Sequence, residues 1–108
     1  MANTFKLKTK ASVGVTTTGV YVVPASTTTV VIGITASNVS GNNINVGIGI
    51  TRASTDDVHL MKNVPIPQGS SLEFMQGNKI VLETTDTITA KSDVASSLDI
   101  ALTIMEIT

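Results

Sequence analysis

Apolar and polar positions alternate through most of this chain, and the period is two. Ile44, Val46, Ile48 and Ile50 alternate with Asn45, Gly47, Gly49 and Thr51, which predicts a half-buried strand. Leu98, Ile100, Leu102 and Ile104 alternate with Asp99, Ala101, Thr103 and Met105 in a closing strand over 98–107. A third strand is predicted over 27–37, with Val30, Ile32, Ile34 and Ala36 on the core face and Val31, Gly33, Thr35 and Ser37 opposite. At the start, Phe5, Leu7 and Thr9 alternate with Lys6, Lys8 and Lys10, predicting an edge strand whose lysines face solvent. Shorter runs predict strands at 20–23 (stopped by Pro24), from Val58 to Pro65, around Leu72 and Phe74, at 80–82, and at 87–91 with Ile88 and Ala90 on one side. Residues 11–19 read as a loop or weak edge strand.

Turn residues separate these runs. Val39 to Asn43, Gln76 to Asn78, Thr84 to Asp86 and Ser92 to Ser97 carry the Gly, Asn, Asp and Ser that tolerate turn backbone, and Arg52 to Asp57 is a polar loop. Pro65, Pro67 and Gly69 form a structural corner, with Pro67 expected at the second position of a turn. Leu72 and Phe74 beyond it are expected in the core. About eight or nine short strands at this spacing predict an all-β antiparallel sandwich, jelly-roll-like or immunoglobulin-like. Residues 1–19 are expected as an N-terminal strand and linker, and 20–108 as the sandwich domain. Gly47 and Gly49 permit close approach of another backbone, from this chain or from a second subunit.

Composition narrows the function classes. The 108 residues suit one domain. Aromatics are confined to Phe5, Tyr21 and Phe74, so the core must be aliphatic, and oligomerisation is a natural supplement to it. A net charge of −1 with 14% charged residues lacks the basic face that nucleic acid requires. The chain has no cysteine, which excludes disulfides and thiolate chemistry. No run approaches the ~18 apolar residues of a membrane-spanning helix. The opening MANTFKLKTK has no apolar leader, and the expectation is a protein made and used without secretory export.

Reactive constellations are missing. His59 is the single histidine, and Asp56 and Asp57 beside it match no metal-ligand spacing. Flanked by Val58 and Leu60, it is expected to point to the opposite face from them. No Gly-x-Ser-x-Gly elbow occurs, and GNNINVGIGI lacks the helix and lysine of a phosphate loop. Asn38-Val39-Ser40 fits the glycosylation pattern by chance alone. Glu73, Glu83, Asp86, Asp93, Asp99 and Glu106 are not brought together by any pattern. No catalytic, cofactor or metal site is expected, and the chain does not read as an enzyme.

Three stretches carry a resemblance: VYVVPASTTTVVIGITASNVS (from Val20), LMKNVPIPQGSSLEFMQGNKIVLETTDTITA (from Leu60) and LDIALTIMEI (from Leu98). In this order the chain resembles a group of small β-rich virion structural proteins of tailed bacteriophages. The matching features are a Tyr-x-x-Pro start, the Pro67–Leu72 corner, the Lys79–Asp86 strand and turn, and the Thr103–Ile107 closing strand. One departure is Thr85, where the group often has Gly before its acidic turn residue. The resemblance implies a virion component that binds the mature shell as an oligomer, a capsid decoration (cement) protein with a trimer preferred. Its partners would be the major capsid protein or other virion proteins. A tail, neck or fibre-associated adaptor is the structural alternative. A carbohydrate- or receptor-binding sandwich is the alternative from another class, with Tyr21 as its one good aromatic. Phe5, Lys6, Leu7, Lys8 and Lys10 are the expected inter-subunit or shell contact, by strand addition.

Overall fold

A computed structural model of the protein describes residues 3–52, 57–73 and 79–108. The described residues form nine strands and no helix: β1 (Asn3–Val13), β2 (Thr18–Val22), β3 (Thr28–Asn38), β4 (Ile44–Thr51), β5 (Asp57–Ile66), β6 (Ser71–Glu73), β7 (Ile80–Leu82), β8 (Thr87–Ser92) and β9 (Leu98–Ile107). The predicted Gln76–Asn78 turn, the core position of Phe74 and the Asp56 position of the polar loop lie outside the described residues.

All pairing is antiparallel, in two sheets. Sheet A has the order β1-β9-β3, with β6 and β7 both pairing with β3 on its far side. β7 pairs with Thr29–Val31 and β6 with Thr35–Ser37, so the two act as one interrupted edge strand. Sheet B has the order β2-β8-β4-β5. Apart from the β4–β5 and β6–β7 pairs, successive strands cross between the sheets in the manner of a jelly roll, which decides between the two sandwich types left open by the sequence.

The core lies between the sheets and is aliphatic. Ile34, Ile48, Ile88, Leu98, Leu102 and Ile104 are among its fully buried side chains, and Tyr21 is its one described aromatic. The alternation on β4 and β9 emerges as predicted, with Ile44, Val46, Ile48, Leu98, Ile100, Leu102 and Ile104 buried. On β3 the predicted face is half wrong. Thr29 and Val31 point inward, then Ile34, Ala36 and Asn38, because the register shifts between Val31 and Gly33. An extra residue at a β-bulge reverses which parity faces the core, and period two cannot reveal it.

β1 and β2 differ from expectation in two ways. Residues 3–13 are the edge strand of sheet A, paired with β9 from Asn3 to Val13, and residues 18 and 19 already belong to β2. The faces of β1 are also inverted. Lys6, Lys8 and Lys10 lie opposite the core residues Ile104, Leu102 and Ile100, whereas Phe5 and Leu7 lie opposite Met105 and Thr103 on the outer face.

Candidate functional site

Three features of the surface can carry function: the outer face of sheet A with the β1 edge, the corner between sheets, and a cleft on sheet B.

At the β1 edge, Lys6 meets a carboxylate rather than the aliphatic core. Lys6 Nζ lies 2.7 Å from Glu106 Oε1, and Glu106 is buried. The Tyr21 hydroxyl donates to Glu106 Oε2 at 2.5 Å and lies 2.8 Å from Thr29 Oγ1. The Lys8 ammonium sits 6.0 Å from the Tyr21 ring centroid. Hydrogen bonds from Lys6 and then Tyr21 hold the Glu106 carboxyl below the usual carboxylate range. Burial, and then the hydrogen bond to Glu106, pushes the Tyr21 hydroxyl up to about 12. This network ties β1, β2, β3 and β9 together. Inward-pointing charge on an edge strand also discourages uncontrolled edge pairing.

The same inversion leaves one end of the outer face of sheet A apolar. Phe5, Met105, Val30 and Val81 are successive cross-strand neighbours and form one row across β1, β9, β3 and β7. Phe5 is 70% exposed, Leu7 65% and Val81 61%. Outward-facing charges within the described strands of this sheet are Asp99 and Glu73, at the Thr35–Ser37 end of β3. Of the residues expected to make a contact, Phe5, Leu7 and Lys10 are exposed, whereas Lys6 is partly exposed and tied to Glu106 and Lys8 is half-buried over Tyr21.

The corner carries the chain from sheet B to sheet A. β5 runs on through Pro65, which pairs opposite Asn45, and ends at Ile66. An edge strand tolerates this proline because its missing donor faces away from the ladder. The turn is displaced by one residue from expectation. Ser70 N donates to Pro67 O, placing Pro67 first and Gly69, with φ +72°, third. A positive φ at the third position is the mark of a type II turn, which selects glycine there. Leu72 packs against the core.

Asn38 holds this corner, and the sequence pattern concealed its role. Its Nδ2 donates to Asn42 O at 2.7 Å and Ile66 O at 3.0 Å, and its Oδ1 accepts from Ser40 N at 2.9 Å. With its amide nitrogen doubly engaged and the side chain buried, Asn38 is not presented as a glycosylation acceptor. The signal available in advance was its position, at the end of a strand and before a Gly-Asn-Asn turn.

On the outer face of sheet B, a cleft of about 340 Å³ runs over Gly47 and Gly49, flanked by His59, Lys62, Thr89 and Lys91. His59 is exposed opposite Gly49, on the face predicted for it. Gly49 answers a need inside the chain: a Cβ there would sit 2.8 Å from Val58 O of the adjacent strand. Among the described residues, no three His, Cys, Asp or Glu side chains gather as a metal site, and no helix is long and apolar enough to cross a membrane. Tyr21 is 6% exposed, so the aromatic that a sugar-binding surface would have used is committed to the core.

These features define a small jelly-roll sandwich whose distinctive surface is an exposed apolar patch on sheet A. No protein-family model matches the chain, and no curated protein matches it. Among solved structures it is similar to a protein of Bacillus endospore appendages, described as a family of disulfide-linked pili. That likeness has a TM-score of 0.59 at 13% identity, over 99% of this chain and 87% of the other. At this identity the likeness establishes a shared fold.

Proposed function

We propose that this chain is a non-catalytic structural subunit of a protein assembly, and specifically a tailed-phage virion component that decorates the mature capsid shell as an oligomer. The observation that carries the assembly reading is the inverted β1, which pairs Lys6 with Glu106, sets Lys8 over the Tyr21 ring and presents Phe5 and Leu7 to the outside. Exposed contiguous apolar surface of this kind marks interaction sites. The virion part rests on the resemblance over Val20–Ser40, Leu60–Ala90 and Leu98–Ile107. Binding the expanded shell and not its precursor would stabilise the mature lattice by mass action. Quantitative mass spectrometry of purified virions tests this. Hundreds of copies per particle support decoration, about six to twelve indicate a neck or tail ring, and none ends the virion reading.

A second reading is favoured by the structural likeness: a subunit of a pilus-like fibre. The absence of cysteine means that such a fibre would be held without disulfides. Filaments of the purified protein under the electron microscope, persisting in reducing agent, would favour this reading over a shell component.

A further inference from the structure

We propose that the outer face of sheet A packs against the same face of a second copy, as a twofold sheet-on-sheet dimer. The inference rests on the assembly reading above and names the first contact within it.

Charge distribution supplies the first argument. Strands β1, β9 and β3 contain Lys6, Lys8, Lys10, Asp99 and Glu106, yet the register turns all but Asp99 to the inner side. Two such faces meet without like charges over the row Phe5–Met105–Val30–Val81. Depletion of charge with enrichment of aromatic and Met side chains is the compositional mark of an interface centre.

Area is the second. Large apolar side chains expose on the order of 150–200 Å² each when free. With Phe5, Leu7 and Val81 about two-thirds exposed and Val30, Met105 and Ile107 partly so, the face offers on the order of 450 Å² of apolar surface. Two faces together, with their flanking Thr rows, reach the ~1,200 Å² at which specific interfaces begin.

Shape selects the arrangement. A twofold axis along the strands, between β9 and β3, reverses the row. Phe5 of one copy then lies over Val81 of the other, and Met105 over Val30. Large thus meets small across the sheets, which keeps their separation near the ~10 Å usual for packed sheets. This pairing is twofold, in place of the trimer expected from the sequence. It leaves sheet B and its cleft free for the remainder of the assembly.

Charge-swap mixing tests it. By light scattering on a sizing column at about 100 μM, the purified full chain is expected to have the mass of a dimer. Phe5→Glu alone and Val81→Lys alone should each weaken the dimer at least about tenfold, with melting temperatures equal to that of the wild type when all are diluted to monomer, because both sites are exposed. Mixing the two variants should restore a dimer. In the mixed pair the introduced carboxylate on β1 of one copy faces the introduced ammonium on β7 of the other, and the native Phe5–Val81 contact forms once. A wild-type monomer, single variants that stay dimeric, or a mixture that does not recover would each overturn the proposal. Binding of the wild-type monomer to lipid vesicles or to an isolated shell protein, lost in Phe5→Glu, would assign the face to that other occupant. The virion copy number reads the assembly hypothesis separately, so the two can fail independently.

Discussion

Thr85 occupies the third position of the Glu83–Asp86 turn with φ of 73°. The turn closes through Asp86 N donating to Glu83 O at 3.0 Å. It is pinned to the residue that follows β2 by Thr85 N donating to Val23 O and Val23 N donating to Asp86 O. A β-branched L-residue in the left-handed region costs about 1–2 kcal/mol. Thr85 is exposed, and its turn bonds use backbone atoms alone, so Thr85→Gly removes strain without removing a bond. Glycine gives back about 0.5–1 kcal/mol through the greater freedom of the unfolded chain. The expected net stabilisation is about 0.5–1 kcal/mol, or a rise in Tm of about 2–8 °C for a domain of this size. Urea unfolding followed by circular dichroism would measure it. Thr85→Ala, which keeps the left-handed penalty, should gain much less. Thr84→Gly should instead lose about 1 kcal/mol, because Thr84 Oγ1 donates to Thr27 O. A Thr85→Gly protein no more stable than wild type, or a gain from alanine as large as that from glycine, would refute the reasoning.

The buried network at the β1 edge predicts stability limits at both ends of the pH scale. Glu106 has a folded pKa below its unfolded value, so its contribution is complete above about pH 4.5 and is lost as the pH falls through the folded value. Tyr21 has its pKa raised from 10.0 to about 12, so its contribution is complete below pH 10 and is lost as the pH rises toward 12, about 3 kcal/mol in all. Denaturant midpoints from pH 3 to 12 should trace both limbs, and Tyr21→Phe should cost about 1–3 kcal/mol at neutral pH and flatten the alkaline limb. Asn38→Ala should cost about 2–3 kcal/mol in urea unfolding, since the Asn42 and Ile66 carbonyls and the Ser40 amide lose their partner together. Gly49→Ala should cost about 1–3 kcal/mol by the same assay, because its Cβ meets the Val58 carbonyl rather than a yielding side chain.

Much of the fold was legible because most strands obey one rule. Where a strand is central and regular, as β4 and β9 are, period-two alternation names the buried face residue by residue. The rule fails at β3 because parity survives only while pairing is unbroken, and the shift between Val31 and Gly33 has no local sequence mark strong enough to read. It was also silent on the Asn63 bulge of β5, where a left-handed residue with φ of 53° absorbs the shift opposite Gly47. Turn chemistry was legible to within a residue at Pro67–Ser70, since proline and glycine act through their own dihedrals. The buried polar clamps of Asn38 and Glu106 were not, because each depends on partners distant in the chain.

β1 shows why the candidate site was harder to read than the fold. The rule that apolar residues face inward assumes that the inner side of a strand is the driest place available to it. At this edge that assumption fails, because the inner side already holds a carboxylate, a phenol and a threonine hydroxyl. Burying Phe5 and Leu7 there would leave Glu106 without its cation, and an unpaired buried charge costs about 3–5 kcal/mol, as much as two large side chains gain by burial. Lysine can lay its alkyl stem along the sheet while its ammonium reaches Glu106, so it satisfies both demands. The alternation of β1 is therefore resolved by its partners on β9 and β2, and Phe5 and Leu7 are displaced outward as a consequence. An isolated monomer would pay for that display in solubility, with no local gain in packing. A second surface that covers Phe5 and Leu7 removes the cost, which is why the inverted strand argues for assembly more strongly than exposure of either residue alone.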